Sequence, residues 1–201
     1  MTDDVRSELS NGVVLGLYGA GGFAREVMPL ALEYLSTLAH LSSESVHKVY
    51  FVESSPQESE VDGLPLVSES EFIKLECSKR LFNVAIGDSR VRERVANECI
   101  ERGARPLSLQ SRNSIIYGNN IVGEGAILCA YTMITSNTRI GRFFHSNIYS
   151  YVAHDCVIGD FVTFAPNVHC NGNVHIHSHA YIGTGAVIKQ GTARKPLVIG
   201  E

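Results

Sequence analysis

Two architectures in tandem are predicted by the sequence: an α/β domain built on a parallel sheet, then a left-handed parallel β-helix. Two observations predict them. Up to position 106, short apolar runs alternate with amphipathic stretches; after position 115, apolar residues recur every six positions, a period that belongs neither to a helix nor to a flat strand. The domains are accordingly drawn at residues 1–106 and 107–201.

In the first part, Val13-Val14-Leu15-Gly16-Leu17-Tyr18 reads as a buried strand, and the turn Gly19-Ala20-Gly21-Gly22 opens a helix from Phe23 to about Leu38. Val49-Tyr50-Phe51-Val52 is a second strand, Glu69 to about Lys79 a helix, and Phe82-Asn83-Val84-Ala85-Ile86 a third strand. Arg90 to about Arg102 is a helix stopped by Gly103. Strands alternating with helices imply a parallel sheet covered on its faces, half of a doubly wound domain.

In the second part, twelve of thirteen positions from Ile116 to Ile188 in steps of six are apolar or Cys, Ser146 being the exception. Four positions further on in each unit stand mostly small residues, among them Ala126, Thr132, Thr138, Ser150, Cys156, Ala180 and Ala186. This is the hexapeptide pattern of a triangular prism, three units to a coil: the large residue points inward and the small one is expected to let the corner turn. Each coil buries its faces only against its neighbours, so stability accumulates by stacking. An interior filled with side chains sends any chemistry to the outer surface or to a boundary between subunits. The chain closes on Val198-Ile199-Gly200-Glu201, the middle of a further unit, so the last coil is expected to be incomplete.

Composition narrows the partners. With 19% charged residues, 44% hydrophobic residues and a formal charge of −4, the chain is an ordinary globular one, and it offers no general field for nucleic acid or anionic lipid. Its five cysteines are odd in number, scattered and without a C-x-x-C pair, which points to a reducing, cytoplasmic setting. The opening MTDDVRSELSNG is polar, and no apolar run approaches the roughly 18 residues of a membrane span.

Four segments carry a resemblance: Gly19-Ala20-Gly21-Gly22-Phe23-Ala24-Arg25-Glu26-Val27, Gly63-Leu64-Pro65-Leu66-Val67, Ala85-Ile86-Gly87-Asp88, and Ala153-His154-Asp155-Cys156-Val157-Ile158-Gly159-Asp160. With them the chain resembles the bacterial hexapeptide-repeat sugar-nucleotide N-acetyltransferases and sialic-acid O-acetyltransferases, over nearly its whole length. The resemblance implies a Rossmann-like domain that binds a nucleotide sugar, and a homotrimer of β-helices with acetyl-CoA lying between neighbours. It implies that His154 is the general base, with Asp155 as its acidic neighbour. Asn147 and Gly172 match acetyl-CoA-binding positions, the Gly172 amide facing the thioester carbonyl. Gly21, Gly22, Phe23, Glu53, Ser54, Gly87 and Asp88 fall on the sugar-nucleotide loops. Many members carry His where Phe23 stands, so the acceptor sugar is expected to differ here.

The chemistry suits those residues. Acetyl transfer needs a nucleophilic amine or hydroxyl, a group to take its proton, and a donor for the thioester oxyanion; imidazole and a backbone amide serve the last two. The amino group of a nucleotide-linked amino-deoxysugar is expected to attack the thioester directly, with a sugar hydroxyl as acceptor, or a non-catalytic β-helix scaffold, as the alternatives; Cys156, at an inward position, is not read as a nucleophile. Neighbouring side chains on a flat strand point to opposite faces, so Asp155 orients His154 only if a coil corner falls there. His175, His177 and His179 alternate as metal ligands do, but no carboxylate or Cys completes a shell; they are read as solvent-exposed, and no metal is expected. His40 and His47 are read as surface loop residues. Gly19-x-Gly21-x-x-Ala24 also fits a relaxed dinucleotide fingerprint. Glu53 stands too far downstream, however, and the first domain holds only half a dinucleotide sheet, which leaves an oxidoreductase as the weaker alternative.

Overall fold

The computed structural model describes residues 12–41, 47–191 and 193–194, with side chains over 12–37 and 48–191. The described residues cluster into two compact units, one of 1–86 with 94–107, the other of 87–93 with 108–201. The first unit is a six-stranded sheet in the order β3-β4-β2-β1-β5-β6. Its strands are β1 (Val13–Tyr18), β2 (His47–Glu53), β3 (Glu60–Val61), β4 (Leu64–Ser68), β5 (Lys79–Val84) and β6 (Arg105–Pro106). Every neighbouring pair is parallel except β3 and β4. All six residues of β1 are buried, as a central strand covered on both faces requires. Gly16 on that strand leaves room for Phe72, whose ring would lie 2.6 Å from an added Cβ.

The helices are α1 (Gly22–Leu41), α2 (Glu69–Lys74) and α3 (Ser89–Glu101). The expected helix over 69–79 is shorter because Leu75 turns extended, with φ −58° and ψ 131°, and β5 begins at Lys79. Its start is held by a capping box: the Ser68 hydroxyl accepts from the Glu71 amide at 3.2 Å, and the Glu71 carboxylate accepts from the Ser68 amide at 2.8 Å. Ala85 leaves the sheet earlier than expected and donates to the Tyr18 carbonyl at 2.9 Å. The β3–β4 hairpin was not read from the sequence, although its turn is Asp62-Gly63, both at positive φ, a strong short-range hairpin signal. The backbones of His40 and His47 lie in α1 and β2, not in loops, and their side chains fall outside the described residues. No described helix is long and apolar enough to cross a membrane.

The second unit is the left-handed parallel β-helix. Two-residue strands recur every six residues from β7 (Leu109–Gln110) to β21 (Ala193–Arg194), one unit earlier than the apolar series suggested. They form three sheets of five strands, and each strand pairs in parallel with the third strand after it. Ile127 thus stands beside His145, and Met133 beside Tyr151, eighteen residues or one coil apart. The interior is packed with Leu128, Ile134, Ile140, Phe144, Val152, Ile158, Phe164 and their successors. The expected last coil, over Val198-Ile199-Gly200-Glu201, lies outside the described residues.

One expectation about the prism is corrected. The small residues do not turn the corners; Thr132, Thr138, Ser150, Cys156 and Ala180 are buried inside it. The turn is made one residue earlier, where Tyr131, Asn137, Phe143, Tyr149, Asp155, Phe161, Asn167, Asn173 and His179 all have φ between 51° and 66°. Left-handed backbone suits Asn, Asp and Gly, and the coils hold even aromatic residues there because both flanking strands are locked in the ladder. Residues one coil apart then stack. Tyr131 lies on Tyr149 at 5.1 Å, Phe143 on Phe161 at 5.5 Å, and Phe161 on His179 at 5.5 Å.

The segment 87–93 clusters with this prism through Arg92. Its buried guanidinium donates to the Phe161 carbonyl at 2.6 Å, the Thr163 hydroxyl at 3.0 Å and the Gly87 carbonyl at 3.3 Å. Burial lowers its pKa to about 10, against the pull of Asp88 in the other direction.

Candidate active site

The corner after β14 (Tyr151–Val152) brings His154 and Asp155 together. Asp155 has φ 59°, so the chain turns between the two residues and their side chains converge instead of alternating. His154 Nδ1 lies 2.7 Å from Asp155 Oδ2, with the side chains 52% and 49% exposed. The coil corner that the orienting role required is therefore present. The other carboxylate oxygen, Oδ1, accepts from Asn137 Nδ2 at 2.5 Å, across one coil. Those two hydrogen bonds, Asn137 first, hold the Asp155 carboxyl below its ordinary pKa. An ionised acceptor on Nδ1 fixes the proton there and leaves the Nε2 lone pair as the basic one.

Gly172 sits one coil further, directly against the imidazole. A Cβ built on it would lie 2.5 Å from His154 Cε1 and 2.6 Å from Nε2, so the absent side chain is what makes room for the ring. Two equivalent amides are capped by the next coil: Arg142 N–H donates to Asp160 Oδ1 at 2.9 Å, and Asp160 N–H to Ser178 Oγ at 3.0 Å. Among the described residues the Gly172 amide donates no such bond. Beside an imidazole, an uncommitted N–H is a donor available to a developing oxyanion. Cys156 is buried, with its thiol 3.2 Å from the Asn171 carbonyl, inside the prism and away from the outer surface.

Asn147 is not brought to this corner. It follows β13 (His145–Ser146), one corner before His154, with its side-chain oxygen accepting from the Ile148 amide at 2.7 Å. In the first unit, Gly21, Gly22 and Phe23 lie at the carboxyl end of β1, and Glu53 and Ser54 at that of its neighbour β2, where open parallel sheets bind ligands. A Cβ on Gly21 or Gly22 would meet no atom within 4 Å, so the room beside them is not used by the protein itself. Gly87 and Asp88 follow β5 and cluster with the second unit. Asp88 Oδ1 caps α3, accepting from the amides of Val91 at 3.0 Å and Arg90 at 2.9 Å, which lowers its carboxyl pKa.

The three histidines of the 175–179 run do not share one environment. His175 and His177 are exposed and stack on each other at 4.7 Å. His179 turns the corner with only 13% of its side chain exposed, 3.1 Å from Arg90 and 3.6 Å from Glu93. Burial and the Arg90 charge lower its pKa. No group of His, Cys, Asp or Glu with metal-holding geometry occurs among the described residues. Sequence reasoning missed Asn137; its signal is the spacing of eighteen residues, one coil, from Asp155.

A parallel α/β sheet joined to a β-helix whose outer corner carries a histidine–carboxylate pair defines a class, the β-helix acyltransferases. The family described as the PglD N-terminal domain matches residues 14–99. A GDP-perosamine N-acetyltransferase of Escherichia coli O157:H7 is 43% identical over 185 residues, covering 92% of this chain and 82% of the relative. Among solved structures, WeeI from Acinetobacter baumannii AYE is 48% identical, with a TM-score of 0.82 over 94% of this chain and 86% of that one. The acetyltransferase domain of PglB from Neisseria gonorrhoeae FA1090, solved with acetyl coenzyme A, shares the fold at 24% identity, with a TM-score of 0.77 over 92% and 85% of the two chains. The chain belongs to the sugar N-acetyltransferase family and is an acyltransferase.

Proposed function

We propose that the chain transfers an acetyl group from acetyl-CoA to the amino group of a nucleotide-linked amino-deoxysugar, with His154 as general base. The observation that carries this reading is the 2.7 Å His154–Asp155 contact on an exposed corner, with the ring resting on Gly172. The attacking nitrogen forms its bond to the thioester carbonyl carbon as His154 Nε2 takes its proton. The carbon–sulfur bond then breaks, and the departing thiolate receives a proton from the imidazolium. The Gly172 amide holds the carbonyl oxygen as it gains charge, and Asn147 serves the acetyl-CoA side.

We assign the acceptor to Gly21, Gly22, Phe23, Glu53, Ser54, Gly87 and Asp88, and divide the chain into a sugar-nucleotide domain over 1–106 and a transferase domain over 107–201. The name of the E. coli relative favours a guanosine-linked amino sugar as acceptor. The glycines at the start of α1 offer amides to a phosphate, as helix N-termini do. A homotrimer is the proposed assembly. Ile121 and Val157 on one face beside His154 and Val187 on the other are exposed apolar side chains that a lateral neighbour would cover. Five free cysteines support a reducing, cytoplasmic location.

The test uses thiol release from acetyl-CoA together with thermal shifts in guanosine, uridine, thymidine and cytidine sugar nucleotides. A guanosine sugar is expected to give the largest shift and the fastest release. His154→Ala is expected to lose at least about a hundredfold in kcat while keeping the thermal shift. A His154→Ala protein with full turnover overturns the assignment of the base.

A further inference from the structure

Asp155 is half exposed, and a carboxylate on the surface of a prism has no intrinsic reason to aim one oxygen at its neighbour's ring. We infer that Asn137 is a positioning residue for the reaction: its side-chain amide holds the Asp155 carboxylate so that Oδ2 stays on His154 Nδ1 and the base keeps its lone pair on Nε2. The inference rests on the reading of His154 as base.

Three features carry it. First, Asn137 Nδ2 lies 2.5 Å from Asp155 Oδ1, while His154 Nδ1 lies 2.7 Å from Oδ2, so the carboxylate is gripped at both oxygens by different side chains. An ionised carboxylate only accepts hydrogen bonds, so the amide must present its NH2 group, and its orientation is settled by chemistry. Second, the donor is rigidly placed. Asn137 and Asp155 occupy the same corner of successive coils, with φ 55° and 59°, and the Asp155 amide donates to the Ser136 carbonyl at 3.0 Å. The coil ladder therefore sets the amide and the carboxylate one strand spacing apart before any substrate arrives. Third, the corner is chemically unlike the other two. The others stack Tyr131 on Tyr149, and Phe143 on Phe161 on His179, whereas this one stacks Asn137 on Asp155. The carboxylate is thereby held by a neutral donor that adds no competing charge.

The consequence concerns the tautomer. Free neutral imidazole favours the proton on Nε2, the wrong nitrogen for a base that faces outward there; a fixed carboxylate on Nδ1 reverses that preference. Remove the amide and the carboxylate is free to rotate into water, so that the imidazole spends more of its time in the unproductive form.

The clean deletion is Asn137→Gly, because glycine takes positive φ without strain, and Gly191 already stands at the same corner three coils on. Asn137→Asp keeps the shape and removes the donor. Full-length protein, its variants and His154→Ala are compared by nitrogen NMR of the histidine rings without substrate, and by kinetics with acetyl-CoA and GDP-perosamine. Asn137→Gly is expected to shift the His154 ring toward the Nε2–H tautomer, lower kcat about tenfold and change both KM values less than about twofold. Asn137→Asp is expected to reproduce the loss of kcat, which a space-filling role would not. An unchanged His154 tautomer in Asn137→Gly overturns the inference, as does wild-type kcat in that variant while His154→Ala is inactive. An active His154→Ala protein overturns the base assignment instead, and the ring spectra still report whether Asn137 governs the tautomer.

Discussion

At the scale of single residues, the site depends on what is missing as much as on what is present. The His154 ring occupies the space that a side chain at 172 would take, and half of that ring's surroundings is solvent. Gly172 does not take the left-handed backbone, so alanine fits its conformation, and the conflict falls on the half-exposed His154 ring, which can swing outward. Gly172→Ala is therefore expected to leave thermal stability within about 0.5 kcal/mol of wild type. It is expected to cost about a hundredfold in kcat, the usual penalty for displacing a reacting group by an ångström. Calorimetry and thiol-release kinetics on the same preparation check both halves. Part of this site was legible in the sequence: His154 and Asp155 stand in a motif, and Gly172 was implied by the family resemblance. Asn137 was not, because a contact across one coil has no local trace, and the eighteen-residue spacing gains meaning only once the coil period is known.

At the scale of elements, the corners decide local behaviour. His179 continues the Phe143–Phe161 stack and is nearly covered, with Arg90 beside it, and its pKa is lowered. A histidine whose folded pKa is depressed binds fewer protons than the unfolded chain. Its share of stability is full above the ordinary histidine value of about 6.5 and declines as pH falls through that value. The lowered carboxyls of Glu71, Asp88 and Asp155 act in the same direction, but only as pH falls below the ordinary carboxylate range near about 4, so the two windows separate. The melting temperature is expected to fall between about pH 7 and 5 and to do so less in His179→Phe, which keeps the stack without the titrating group. Scanning calorimetry across that range checks it; parallel curves for the two proteins would remove His179 as the cause. The corner rule itself was visible in the sequence as Asn or Gly at 119, 125, 137, 167, 173, 185 and 191, six residues or multiples of six apart. It was masked by the tyrosines and phenylalanines at the positions between, which avoid left-handed backbone when no ladder imposes it.

At the scale of the whole molecule, the β-helix leaves apolar side chains pointing outward on both sides of the His154 corner, with Val187 at 63% exposure and Ile121 at 57%. Asn147 stands a full corner away from His154 on its own chain. A trimer is expected by light scattering, together with loss of specific activity on dilution below its dissociation constant. A fully active monomer would exclude it.

The sequence by itself determined the two architectures, the alternation of strand and helix before 106, the six-residue inward series after 115 and the identity of the histidine on the outer face. These are periodicities and short motifs, carried by residues close together in the chain. Tertiary structure alone decided that the chain turns between His154 and Asp155, that Gly172 lies under the ring, and that Asn137 reaches the carboxylate. Each joins positions set side by side only when a strand pairs with the one eighteen residues later, so backbone pairing, not local preference, brings them within reach.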